Sequence, residues 1–150
     1  MIRTALTAFS LFGLVIISSS CAATKGTPVD FGTACTAEND GKVLEISGYL
    51  EPRKFMYCSN RGGRMECGFD LQEAPESDKV FRVDLEQGTG ANTVNELASG
   101  FKPEDVKIRD KNGEEIKLSE RVRLTGKTSV VPPAGNTEGV CFMQVERIER

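Results

Sequence analysis

Hydrophobic and polar positions alternate most cleanly between Val106 and Val131, VKIRDKNGEEIKLSERVRLTGKTSVV. Residues two apart on a strand share a face, so the apolar positions decide which residues can lie opposite one another. A two-residue turn at Asn112-Gly113 would set Ile108 against Lys117 and put the apolar faces in conflict. A three-residue loop, Lys111-Asn112-Gly113, with Gly113 at positive φ, instead pairs Ile108 with Ile116 and Val106 with Leu118. The strand that follows carries Val122, Leu124, Gly126, Thr128 and Val130 on one face, with a glycine where a strand can bend sharply. Such a bend suits a barrel.

The same pattern predicts a first strand over Lys42–Leu50, with Leu44, Ile46, Gly48 and Leu50 on one face and Pro52 ending the pairing. A hairpin over Phe55–Leu71 reverses at Arg61-Gly62-Gly63-Arg64, with Met65, Cys67 and Phe69 alternating on the return. Lys79–Leu85 forms a short strand through Phe81, Val83 and Leu85. Thr93-Val94-Asn95-Glu96 has the form of a capping box and predicts a short helix stopping at Gly100. A proline-rich loop from Pro132 to Asn136 leads to a last strand, Val140–Ile148. Residues 21–41 show little periodicity and are expected to be a tether, so the folded domain is expected to be 42–150.

Composition narrows the chemistry. A chain of 150 residues with 39% hydrophobic and 27% charged residues supports one modest core. Its net charge of −3 argues against general affinity for nucleic acid. With no histidine in the chain, imidazole-based triads and the commonest metal ligand are ruled out. Residues 1–20 have the make-up of an export signal: Arg3, an apolar run from Ala5 to Ile17, then three serines before Cys21. Of five cysteines, setting Cys21 aside leaves an even set, Cys35, Cys58, Cys67 and Cys141. The glycine-rich reversal between Cys58 and Cys67 favours that pair as one disulfide, leaving Cys35 with Cys141. A zinc site would want a CxxC pair or histidines, and the chain has neither.

Ser18-Ser19-Ser20-Cys21 resembles a bacterial lipobox, whose cysteine is lipidated and becomes the mature N-terminus; Ser19 and Ser20 fit, whereas Ser18 stands where an aliphatic residue is usual. Ordinary signal-peptidase cleavage near Ala23 is the alternative, and it would discard Cys21. The element order is strand, hairpin, strand, short helix, hairpin, strand, strand. It resembles the OB-fold, most closely in LSERVRLTGKTSVV and VCFMQVERIE, which look like the last two strands of exported bacterial OB-type domains. The resemblance implies an all-β, OB-like, five- to seven-stranded Greek-key barrel with one short helix, to which the cysteines add two disulfides. The hairpin at Val106–Leu118 is an addition to that pattern, either an insertion or an elaborated strand. The expected location is the bacterial cell envelope, lipid-anchored and facing periplasm or exterior.

One local anomaly has functional potential. Arg53, Lys54, Arg61 and Arg64 place four cations in twelve residues without an acid, beside Phe55 and Tyr57. Basic groups next to aromatic faces are what OB-type barrels use to hold an anionic backbone. The plainer alternative is a solvated hairpin tip whose arginines protect a sheet edge. Carboxylates are numerous, but no spacing fixes a catalytic pair, and the Glu38-Asn39-Asp40-Gly41 cluster lacks the ligands of a calcium loop. The expectation is therefore a non-catalytic envelope lipoprotein with no metal and no cofactor. It would bind an envelope protein or anionic glycan through the basic hairpin. An assembly protein that docks through strand edges is the alternative, and a hydrolase ranks third.

Overall fold

The computed structural model describes residues 25–53, 57–118, 120–132 and 140–150; residues 1–20, read above as an export signal, Cys21, Lys54, Phe55 and residues 133–139 lie outside them. Five long strands carry the fold: β2 (Val43–Pro52), β4 (Arg64–Gln72), β5 (Val80–Glu86), β8 (Arg121–Val131) and β9 (Val140–Glu149), with β1 (Thr27–Pro28) and β3 (Cys58–Arg61) added at the edges. Around the ring the order is β2, β4, β5, β9, β8, closing back on β2. All neighbours are antiparallel except β5 and β9, which run parallel. This is a closed five-stranded barrel with additional strands, mostly β as expected.

Closure depends on two bends. β2 pairs with β8 over Val43–Tyr49 and with β4 over Tyr49–Pro52, so it leaves one neighbour for another near Gly48. A Cβ at Gly48 would fall on the Gln72 carbonyl oxygen, and one at Gly126 on that of Gln144, beside the bulge between Thr125 and Gly126. Only a residue without a side chain lets the strands approach this closely. Pro52 ends the pairing as expected: it lies opposite Phe69 as the last residue of β2, where the missing N–H costs no further ladder bond. Inward positions fill the barrel with Leu44, Ile46, Leu50, Phe69, Leu71, Phe81, Val83, Leu85, Leu124, Met143 and Ile148, all 2% exposed or less. Each such side chain contributes about 1.5–3 kcal/mol of apolar burial.

Both predicted disulfides are present. Cys58 and Cys67 lie opposite each other on adjacent strands, with Cα atoms 4.1 Å apart, and Cys35 joins Cys141 across 5.6 Å. The Lys111–Gly113 hairpin has the predicted register, Ile108 against Ile116, with Gly113 at φ +79°. Its strands β6 (Ile108–Arg109) and β7 (Glu115–Ile116) form a separate ribbon outside the barrel sheet. The ribbon docks through the Lys111 amide on the Ile148 carbonyl, 2.8 Å, and buries Ile108 and Ile116 in the core.

Two expectations need correction. No helix forms at Thr93–Gly100; Val94 is extended, bridges to Gln87 and Ile108, and is fully buried. Thr93 Oγ1 donates to the Gly90 carbonyl at 2.7 Å, and Asn95 bonds the backbone of Asp105 and Lys107, so the capping residues fasten a loop. Core burial of Val94 outweighs a local capping signal. The helical turns among the described residues are two 3-10 segments, Ala37–Asn39 and Pro103–Asp105. Likewise the tether read over 21–41 is part of the fold from Lys25 onward. Thr27 pairs with Leu44, the Phe31 ring meets that of Phe81 edge-on at 6.5 Å, and Cys35 is bridged. Isolated long-range contacts of this kind leave no periodicity in the sequence.

Candidate functional site

Gly62 and Gly63 close the β3–β4 hairpin with φ of +60° and +90°, a two-residue turn that residues with a Cβ enter only under strain. Asn60 Oδ1 accepts the Gly63 amide at 2.9 Å, and the Cys58–Cys67 bridge clamps the hairpin base. The turn sets Arg61 directly opposite Arg64. Like charges in that position repel unless neutralised. The neutralising groups come from the outer face of β4 and β5.

Arg61 lies 3.9 Å from Glu66 and 3.6 Å from Asp84, with its guanidinium 5.6 Å from the centre of the Phe142 ring. Arg64 reaches Glu86 at 3.7 Å. Arg53 is different: Nε donates to Asp70 Oδ1 at 3.0 Å and Nη2 to the Phe69 carbonyl at 3.1 Å, while the side chain packs over Gly68. It ties the end of β2 to β4 and is 20% exposed, whereas the side chains of Arg61 and Arg64 are about half exposed, 49% and 55%. Tyr57, four residues before Arg61 and with its carbonyl accepting the Gly68 amide, is 61% exposed. Of the six residues singled out in the sequence, the structure thus brings Arg61 and Arg64 onto one face, puts Arg53 to structural use and leaves Tyr57 open to solvent. Lys54 and Phe55 are outside the described residues.

The acidic partners were not visible from spacing, because they lie on neighbouring strands. Glu66 is 5% exposed and accepts a hydrogen bond from Gln144 Nε2. Burial pushes the Asp84 carboxyl above the usual range, helped by the charge of Glu66 and opposed by Arg61 and Arg53. A cleft of about 330 Å³ opens beside this group, lined by Arg64, Glu66, Glu86, Asn92, Gln144 and Glu146 among others. Neither a protein-family model nor a curated protein matches the chain. The site must therefore be judged on its geometry.

That geometry suits exchange of partners at Arg64. The Arg64–Glu86 pair, 3.7 Å between groups about half exposed, contributes about 0–1 kcal/mol and is replaced at little cost, whereas Arg61 is a half-exposed cation set 3.6–3.9 Å from two largely buried carboxylates. Among the described residues no group of three or more His, Cys, Asp or Glu could hold a metal ion.

A second charged assembly lies elsewhere on the barrel. Glu149, with a side chain 9% exposed, accepts Lys111 Nζ at 2.5 Å, Arg147 Nη2 at 2.7 Å and Arg123 Nη2 at 2.8 Å. The Lys111 hydrogen bond, with those of Arg123 and the charge of Arg147, outweighs burial and holds this carboxyl down at about 2. Asp110 is buried as well, but amides of Asn112 and Glu114 and the Arg150 guanidinium overcome that and keep its carboxyl below the usual range. These groups join the β6–β7 ribbon to β8, β9 and the C-terminal Arg150.

Proposed function

We propose that the chain is a non-catalytic lipoprotein of the bacterial cell envelope, lipidated at Cys21. Its barrel binds an envelope partner, a protein or an anionic glycan, through the hairpin face around Arg61 and Arg64. The observation that carries this reading is Arg61 itself, held loosely between Glu66, Asp84 and the Phe142 ring, with Arg64 and Tyr57 exposed alongside. A guanidinium over an aromatic ring presents a planar donor edge to a carboxylate, sulfate or phosphate. The surrounding carboxylates favour a partner that offers both signs of charge, as a protein segment does. The two disulfides mark an oxidising compartment outside the cytoplasm and support the envelope location.

Retention on heparin-like and lipopolysaccharide resins tests the glycan arm. Retention of the parent that is lost in the Arg61→Ser, Arg64→Ser double variant supports an anionic glycan; a parent that flows through both resins removes it and leaves a protein partner. Docking through a strand edge is favoured by one observation, that β3 pairs on one side alone among the described residues. In that case the double variant keeps its partner.

A further inference from the structure

We infer that the outer face of β2 and β8, together with the cations gathered on Glu149, is the membrane-apposed surface of the protein, where it holds phosphates of anionic phospholipids. The inference rests on lipidation of Cys21. The chain enters the barrel on this face: β1 runs parallel to β2 with Thr27 opposite Leu44, and a Cβ on Gly26 would meet the Leu44 backbone and come within 2.9 Å of Thr125 Cγ2. Thr125 occupies an outward position on β8 between Arg123 and Lys127 and is nevertheless 2% exposed. The first described residues therefore lie flat on the β2–β8 pair. Cys21 is four residues before Lys25, and four extended residues span about 14 Å. A lipid on Cys21 leaves this face little room to turn from the bilayer.

Charge agrees with that placement. Lys25, Lys111, Arg123, Lys127 and Arg147 gather here against two carboxylates, Glu45 and Glu149, in a chain whose net charge is −3. Among the described residues Lys25 and Lys127 have no ion-pair partner, while Glu149 holds the other three cations together against their repulsion. Arg121, next along the strand, shares its cleft with Asp30, Glu45 and Glu73, which lowers the surplus by one and leaves it positive. The hairpin face differs, since each described arginine there meets a carboxylate. The two surfaces adjoin along β9: Lys127 lies opposite Gln144, which donates to Glu66, and Arg61 sits over the Phe142 ring.

The test is amine acylation of the purified lipidated protein, read lysine by lysine by mass spectrometry. Three media are compared: neutral detergent, phosphatidylcholine vesicles, and vesicles containing phosphatidylglycerol. A lysine held at an anionic surface gains enough to slow its labelling about fivefold. Lys25 and Lys127 should show that protection on phosphatidylglycerol vesicles, and Lys79, whose charge is already met by Glu73, should not. Equal labelling of all three in every medium overturns the orientation, and equal protection on neutral and anionic vesicles overturns headgroup binding. The N-terminal peptide in the same digest reads the anchor separately. Acylated Cys21 with unprotected lysines sinks the surface and leaves the lipoprotein reading, whereas an unacylated N-terminus sinks both.

Discussion

Replacing Glu149 by Gln removes the charge that Lys111, Arg123 and Arg147 share while keeping the side chain's shape. Two of these contacts fall on Oε1 and the third, from Arg123, uses both Nε at 3.2 Å and Nη2 at 2.8 Å on Oε2. Holding the carboxyl at about 2 instead of 4.5 corresponds to roughly 3 kcal/mol of stability at neutral pH. The cations are 29–47% exposed, so solvent screening reduces that to about 2 kcal/mol. The sign follows from the direction of the shift. A depressed carboxyl stabilises the fold above its unfolded value, and the contribution is lost as pH falls from 4.5 through about 2. Urea unfolding of parent and E149Q, with disulfides intact, should differ by about 2 kcal/mol at pH 7 and by under half that at pH 3. A difference that does not change with pH, or one below about 0.5 kcal/mol at pH 7, would refute the shared-charge argument.

Other expectations follow from the core and the cross-links. Chain entropy makes the Cys35–Cys141 bridge, across 106 residues, worth about 2 kcal/mol more than Cys58–Cys67, across 9, so paired Cys→Ser variants should differ by that amount in urea. Gly126→Ala drives a Cβ onto the Gln144 carbonyl and should lower stability by at least about 2 kcal/mol, read by the same titration. Val94→Ala should cost about 2–3 kcal/mol and Glu96→Ala less than about 0.5; a larger loss at Glu96 would restore a capped helix there.

Periodicity revealed what periodicity encodes. The alternation through Val122, Leu124 and Thr128 located β8, and the conflict at Lys117 settled the Ile108–Ile116 register, because a one-residue slip exchanges the two faces. Cysteine parity and a glycine turn were enough for both bridges. Thr93–Glu96 misled because a capping box is a local signal and Val94 is claimed by a distant core. Lys25–Asp40 was illegible because its order comes from single contacts, Gly26 on Leu44, Phe31 on Phe81 and Cys35 on Cys141.

At the candidate site the cations stood out as a run, Arg53 to Arg64, whereas Glu66, Asp70, Asp84 and Glu86 became their partners only when β4 and β5 were laid side by side. Those partners separate Arg53, which holds the barrel together, from Arg61 and Arg64, whose guanidinium groups stay about half exposed. The Glu149 assembly drew its members from Lys111, Arg123 and Arg147, far apart in the chain, and no linear pattern announced it.

The most direct measurement is photo-crosslinking from Tyr57, replaced by a light-activated phenylalanine analogue, in the anchored protein within intact envelopes. Tyr57 is exposed at the edge of the hairpin face, so the account predicts an adduct with one envelope component that disappears in the Arg61→Ser, Arg64→Ser background. An adduct that forms equally well without the two arginines, or none at all, would contradict a partner held on this face.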